Sequence, residues 1–171
     1  MIDKIVGATK KDIEEINISE RYVKKWYNNI DVKFNVVIMN IEEFKKREMY
    51  GGFVSSLNLM IVPSHNDISK IKRHQEQLNI YIHPKREYRS ILIHEIAHVY
   101  NKAIGLKNRR NGEKVAMAIE LSSFTKKQKQ TFLESKIILP SRKRLIENVD
   151  DVKTFIKNFM KDKKTKFKIC V

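Results

Sequence analysis

An α+β fold is predicted for this chain, with a small mixed sheet in the N-terminal half packed on one apolar helix, and a helical C-terminal half. Three observations predict it. The β-branched stretches VKFNVVIM (32–39), YGGFVSSLNLMIVPS (50–64) and LNIYIH (78–83) all precede residue 84. Apolar residues at helical spacing dominate the rest of the chain. Between the two regimes lies ILIHEIAHVY (91–100), where His94, Glu95 and His98 sit among apolar neighbours. The 171 residues, 42% of them hydrophobic, make one domain with enough apolar side chains for a core. That domain is expected to span 1–160, followed by a basic, flexible tail over 161–171.

Ile13, Ile16, Val23, Trp26 and Tyr27 recur at helical spacing, so a helix is expected over 9–28, and NNID breaks it. VKFNVVIM follows as a strand and IEEFKKREM as a short helix or turn. YGGFVSSLNLMIVPS reads as one long or bent extended segment ended by Pro63, with Gly51 and Gly52 marking a bulge or close approach. HNDISKIKRHQEQ is a polar loop with at most one helical turn, and LNIYIH is a further strand. Pro84 suits the first position of a helix that carries HEIAH and runs to Ile104, where Gly105 supplies a left-handed cap. After the polar loop LKNRRN, Gly112 precedes a second apolar helix, EKVAMAIELSSF. A third, KKQKQTFLESKIIL, ends at Pro140. IENVDDVKTFIKNFM is an amphipathic helix using Val149, Val152, Phe155, Ile156 and Phe159. Strands first and helices second argue against alternating β-α-β units.

Several classes are excluded or disfavoured. No apolar run of 18 residues exists, so no transmembrane helix is expected. The opening MIDKIVGATKKDIEEI has acidic residues and no long apolar stretch, unlike a secretory signal. The single cysteine, Cys170, rules out a disulfide framework within one chain and suits a reducing, intracellular setting such as the cytoplasm. Lys+Arg outnumber Asp+Glu by 35 to 20, a net charge of +15, which favours acidic partners. The lysines are dense only in KKQK (126–129), SRKR (141–144) and KDKKTKFK (161–168), so charge alone does not establish nucleic-acid binding. A basic module for nucleic acid or an acidic protein, with a structural or inactive zinc site, stands as the alternative function.

The titratable trio carries the main hypothesis. An unpaired buried charge must neutralise, pair or bind a metal. On a helix, His94 and His98 point the same way one turn apart, the spacing that lets two imidazoles bind one zinc ion. Glu95 then lies where it can take a proton from a water that the zinc activates. A catalytic zinc needs a third protein ligand. His65 and His74 lie in a polar loop, and His83 is placed to cap the helix. Glu113 follows Gly112 at an apparent helix start, where the helix dipole alone explains an acid. Glu134 lies among lysines. Glu120 is the only charge in VAMAIELSSF (115–124) and needs a cation, so it is the favoured third ligand, with Glu113 and Glu134 as alternatives.

HEIAH matches the H-E-x-x-H signature of the zincin metallopeptidases. Glu120 in ELSS resembles the E-x-x-small element carrying the third ligand in the thermolysin-like, gluzincin branch. The resemblance covers roughly residues 50–125. It implies a protein or peptide substrate, Zn²⁺ held by His94, His98 and Glu120, and Glu95 as general base. It also implies an edge strand antiparallel to the bound peptide, for which SSLNLMIV or LNIYIH would serve. The metzincin branch is excluded, since no histidine follows His98. KIILPSRKRL (136–145) bears a fainter likeness to the small ImmA/IrrE-type metallopeptidases, whose ligand glutamate lies closer to the proline than Glu120 lies to Pro140. Gluzincins commonly place a His, Tyr or Arg after the third ligand. Here no His or Tyr follows Tyr100, leaving Arg109, Arg110, Arg142 and Arg144 as candidates.

Overall fold

Thr9 starts the first helix by a reciprocal cap. Its hydroxyl accepts the Asp12 N–H, and the Asp12 carboxylate accepts the Thr9 N–H. The helix, α1 (Lys10–Trp26), ends where Asn28 and Asn29 adopt positive φ. Its buried stripe is Asp12, Ile16, Ser19 and Val23, continued by Tyr27, while Ile13, expected inward, is 40% exposed. Ile16, Val23 and Tyr27 are inward as expected, and in the first turn the inward place of Ile13 is taken by Asp12. Its carboxylate also accepts the backbone N–H of His65 at 2.7 Å, tying α1 to the chain leaving the sheet. This computed structural model describes residues 2–46, 52–68, 88–126, 129–130 and 149–169.

The fold is α+β, as expected. Its sheet has four strands among the described residues, in the order β1 (Ile2–Val6), β2 (Phe34–Met39), β4 (Leu59–Pro63), β3 (Gly52–Val54). The first three run parallel and β3 is antiparallel to β4. Strand β1 was not anticipated, since IDKIV places Asp3 and Lys4 in adjacent positions and breaks the alternation. With it, a single β-α-β unit opens the chain. Tyr50 and Gly51 lie outside the described residues, and the segment from Gly52 to Ser64 is not one extended run. It is a hairpin, with β3 and β4 separated by a 3-10 turn over Ser55–Leu57 and by Asn58 in the left-handed region. Asn tolerates that conformation better than most residues, so the chain reverses without a glycine or proline to announce it. A short helix, α2 (Ile41–Lys46), lies between β2 and β3.

In the parallel β2–β4 register, Val36 pairs with Met60 and Ile38 with Val62. Phe34, Val36, Met60 and Val62 are fully buried in one core with the inward faces of α1 and of the central helix, α3 (Tyr88–Ala103). Helix α3 is buried on nearly every side. Its C-terminus closes as expected at Gly105 (φ 73°). There the Gly105 N–H reaches the Lys102 carbonyl and the Leu106 N–H reaches that of Asn101. Helix α4 (Arg109–Ser122) packs on α3, and α5 (Val149–Ile169) packs on α4 through a face that includes buried Ile156 and Met160. The backbone of α5 continues to Ile169 where a flexible tail from 161 is expected. LNIYIH, Pro84, nearly all of the third expected helix, His74, His83, Glu134, Arg142, Arg144 and Cys170 lie outside the described residues. No helix among the described residues is long and apolar enough to cross a membrane.

Candidate metal centre

Helix α4 starts one turn earlier than its apolar run suggests. Asn108 caps it, its side chain accepting the Asn111 N–H at 3.1 Å. Glu113 is therefore inside the helix, not at its first turn. Glu113 and Glu120 are seven apart, two turns along one face, and that face meets α3. Two buried bonds hold α3 from either side. The Asn101 side-chain amide donates to the Gly112 carbonyl at 3.1 Å, and the Tyr27 hydroxyl donates to Asn101 Oδ1 at 2.7 Å. Farther along α4, Tyr22 and Ser122 join through their hydroxyls at 2.7 Å.

This packing puts the His94 ring between the two glutamates. Nδ1 of His94 lies 3.0 Å from Glu120 Oε2. Nε2 lies 3.6 Å from Glu113 Oε2 and 3.1 Å from His98 Nε2. The latter nitrogen is 3.5 Å from Glu113 Oε1. His94, His98 and Glu113 thus turn one donor atom each toward a common point, and the three can hold a metal ion. The distances fit. Around a tetrahedral ion with ligand bonds of ~2.0–2.1 Å, ligand atoms sit roughly 3.3–3.4 Å apart.

Glu120, the expected third ligand, is not one of these three. It faces the nitrogen of His94 that points away from the common point and accepts the Nδ1–H, a bond that leaves Nε2 turned toward His98 and Glu113. Burial favoured Glu120, which is 7% exposed, but a ligand must reach the wall of an accessible cleft. Glu113 does so, with its side chain 49% exposed. Glu95 lines the same cleft. His65 does not join the group: its ring packs edge-on against Tyr88.

The electrostatics agree with this division. Burial disfavours an imidazolium at His94, but the carboxylates at its two nitrogens outweigh that cost and raise its pKa. Burial and the neighbouring His94 charge lower that of His98. The His94 ring holds the Glu113 carboxyl below its ordinary value.

One family model, described as a family of unknown function (DUF6639), matches residues 26–156. The chain belongs to this family. The DUF6639 match begins at the end of α1 and reaches into α5, so it contains His94, Glu95, His98, Glu113 and Glu120, whereas β1 and nearly all of α1 precede it. No curated protein and no solved structure matches the chain.

The cleft in front of the three donors measures about 930 Å³. Gly52 and Phe53 of β3 form one wall, α3 the floor, and the α3–α4 loop with the first turns of α4 the far end. Lys102 ties α3 to the β3–β4 turn. Its ammonium donates to the Ser55 carbonyl and to Asn58 Oδ1, and it lies 5.7 Å above the Phe53 ring.

Proposed function

We propose that the protein is a zinc-dependent metallopeptidase of gluzincin type, with His94, His98 and Glu113 as its protein ligands and Glu95 as general base. The observation that supports this most is the convergence of two Nε2 atoms and one carboxylate, 3.1–3.6 Å apart, on the wall of a cleft that Glu95 also lines. Two imidazoles and a carboxylate form a donor set suited to zinc, and three protein ligands are the number found in catalytic rather than structural zinc sites. When bound there, zinc would supply a Lewis acid for the scissile carbonyl and an acidified water.

The chain's own residues do the rest. Glu95, adjacent to His94 on α3 and 8% exposed, takes up a proton from the attacking water and returns it to the leaving amine. Glu120 holds His94 in the tautomer and orientation a ligand needs. Strand β3 ends the described sheet at the cleft wall, where an extended peptide can pair with its backbone. The test is cleavage of a mixed peptide library by zinc-loaded protein, read by mass spectrometry, beside Glu95→Gln. Cleavage by the wild type and its loss in Glu95→Gln with zinc retained is the expected result. No cleavage by a stoichiometrically loaded wild type, or cleavage that survives Glu95→Gln, would overturn the proposal.

A further inference from the structure

The cleft has an asymmetry that the metal chemistry does not use. Lys102 lies four residues after His98 on α3, and Arg109 four residues before Glu113 on α4. Since these helices are joined by the short 104–108 loop, both steps lead from the donors toward the same end of the cleft, and Lys107 lies in that loop. All three line the cleft. Among the described residues none of them is within salt-bridge distance of a carboxylate, although the Arg109 charge acts on Glu113, and the oxygens that Lys102 meets are neutral. A bound divalent ion would offset Glu95 and Glu113, the carboxylates of the cleft lining, and leave these cations uncompensated.

We propose that this loop-end cluster, Lys102, Lys107 and Arg109, is a specificity site for a substrate carboxylate close to the cleaved bond. The inference rests on the peptidase proposal for what is cut, and on the cleft alone for what is bound. Four helical residues rise about 6 Å. An extended peptide advances about 3.3 Å per residue. The carboxylate therefore falls within about two residues of the scissile bond. An Asp or Glu side chain and a free C-terminus supply the same chemistry, and Arg109 can grip either with two parallel N–H donors.

A direct test measures binding as well as turnover. In a neutral peptide that the protein cleaves, or failing that in any neutral extended peptide, a single Glu is walked along the chain against a Gln control. Each peptide is made as free acid and as amide. Affinity is read by fluorescence anisotropy on zinc-loaded Glu95→Gln protein, and kcat/KM on the wild type. One Glu position, or the free C-terminus, should bind roughly tenfold tighter than its neutral counterpart, the effect of one charge-assisted contact. Lys107→Gln/Arg109→Gln should erase that preference. Lys114→Gln, an exposed change outside the cleft, should keep it. Carboxylate-dependent binding without turnover would refute the peptidase proposal and leave this inference standing. Affinity indifferent to the carboxylate, a preference that survives the double variant, or displacement of the peptide by a ribooligonucleotide at lower concentration would overturn it.

Discussion

Replacing Glu113 and Glu120 separately by glutamine distinguishes a ligand from its support. Zinc in four-ligand sites of small peptides binds with roughly 10–16 kcal/mol, or about 2.5–4 kcal/mol per ligand. Glu113→Gln removes the charge of a carboxylate whose Oε2 lies 3.6 Å from His94 Nε2 and whose Oε1 lies 3.5 Å from His98 Nε2, so zinc affinity should fall by roughly a hundredfold. Glu120 lies 3.0 Å from Nδ1, on the far side of the ring. Loss of such an outer partner costs about 10–100-fold, and glutamine keeps an acceptor oxygen, so Glu120→Gln should sit near tenfold. Without metal the order reverses. Glu113 is half exposed, and its replacement should change stability by no more than about 0.5 kcal/mol. Glu120→Gln turns a charge-assisted bond in a buried site into a neutral one and should cost about 1–2 kcal/mol. The assays are zinc titration against a competing chromophoric chelator, and thermal melts in excess chelator. If Glu120→Gln lost the metal while Glu113→Gln kept it, the division of roles between the two glutamates would be wrong.

Zinc binding should also release a proton. The His94 pKa is raised to about 9 in the metal-free protein, and the ion requires its Nε2 lone pair, so affinity should rise about tenfold per pH unit from 7 toward that value. Calorimetry in buffers of different ionisation enthalpy checks this, and a heat independent of buffer would contradict it. Asp12→Asn should lower stability at neutral pH by about 2 kcal/mol, roughly 4–8 °C in Tm, because the buried carboxylate accepts from Thr9, Ser64 and His65. Despite the opposing cost of burial, these bonds hold the Asp12 carboxyl below 3.8. Its contribution is therefore present above about pH 4 and lost as pH falls through the folded value. The variant should show a shallower acid limb in its melts, and an unchanged limb would refute the assignment. Gly112→Ala should stabilise by about 0.5–1 kcal/mol, since a Cβ there meets only Asn101 Nδ2 at an ordinary 3.8 Å and helix propensity improves. A lower Tm would show that α3 and α4 are closer than this.

The parts legible in the sequence are those that a local pattern dictates. The His94–His98 spacing, the apolar frame of α3, the Gly105 cap and the alternation of β2 each state their structure within one turn or strand. The misjudged parts depend on the partner of a residue. Asn108 is an ordinary loop residue until its side chain is seen to cap α4, and only then does Glu113 move from the first turn into the helix body. Burial pointed to a carboxylate needing a cation, and Glu120 has one in His94. Glu113 and Glu120, seven residues apart, share one face of α4. Which of them reaches the donors' common point depends on the offset between two antiparallel helices, which Asn101 and Gly112 set through a contact between residues eleven apart. Strand β1 and the hairpin at Asn58 were missed for a similar reason. Pairing with β2 and β4 stabilises them, and their own sequences signal neither clearly.

The proposed chemistry stands or falls with a zinc ion held by His94, His98 and Glu113. Anomalous diffraction at the zinc absorption edge, from crystals of the zinc-loaded protein, tests it most directly. The expected result is one peak at full occupancy, ~2.0–2.2 Å from Nε2 of His94, Nε2 of His98 and a Glu113 oxygen, with a solvent oxygen completing the coordination and Glu120 still bonded to Nδ1. A peak ligated by Glu120, a fourth protein ligand closing the site, or no peak in this cleft would contradict it.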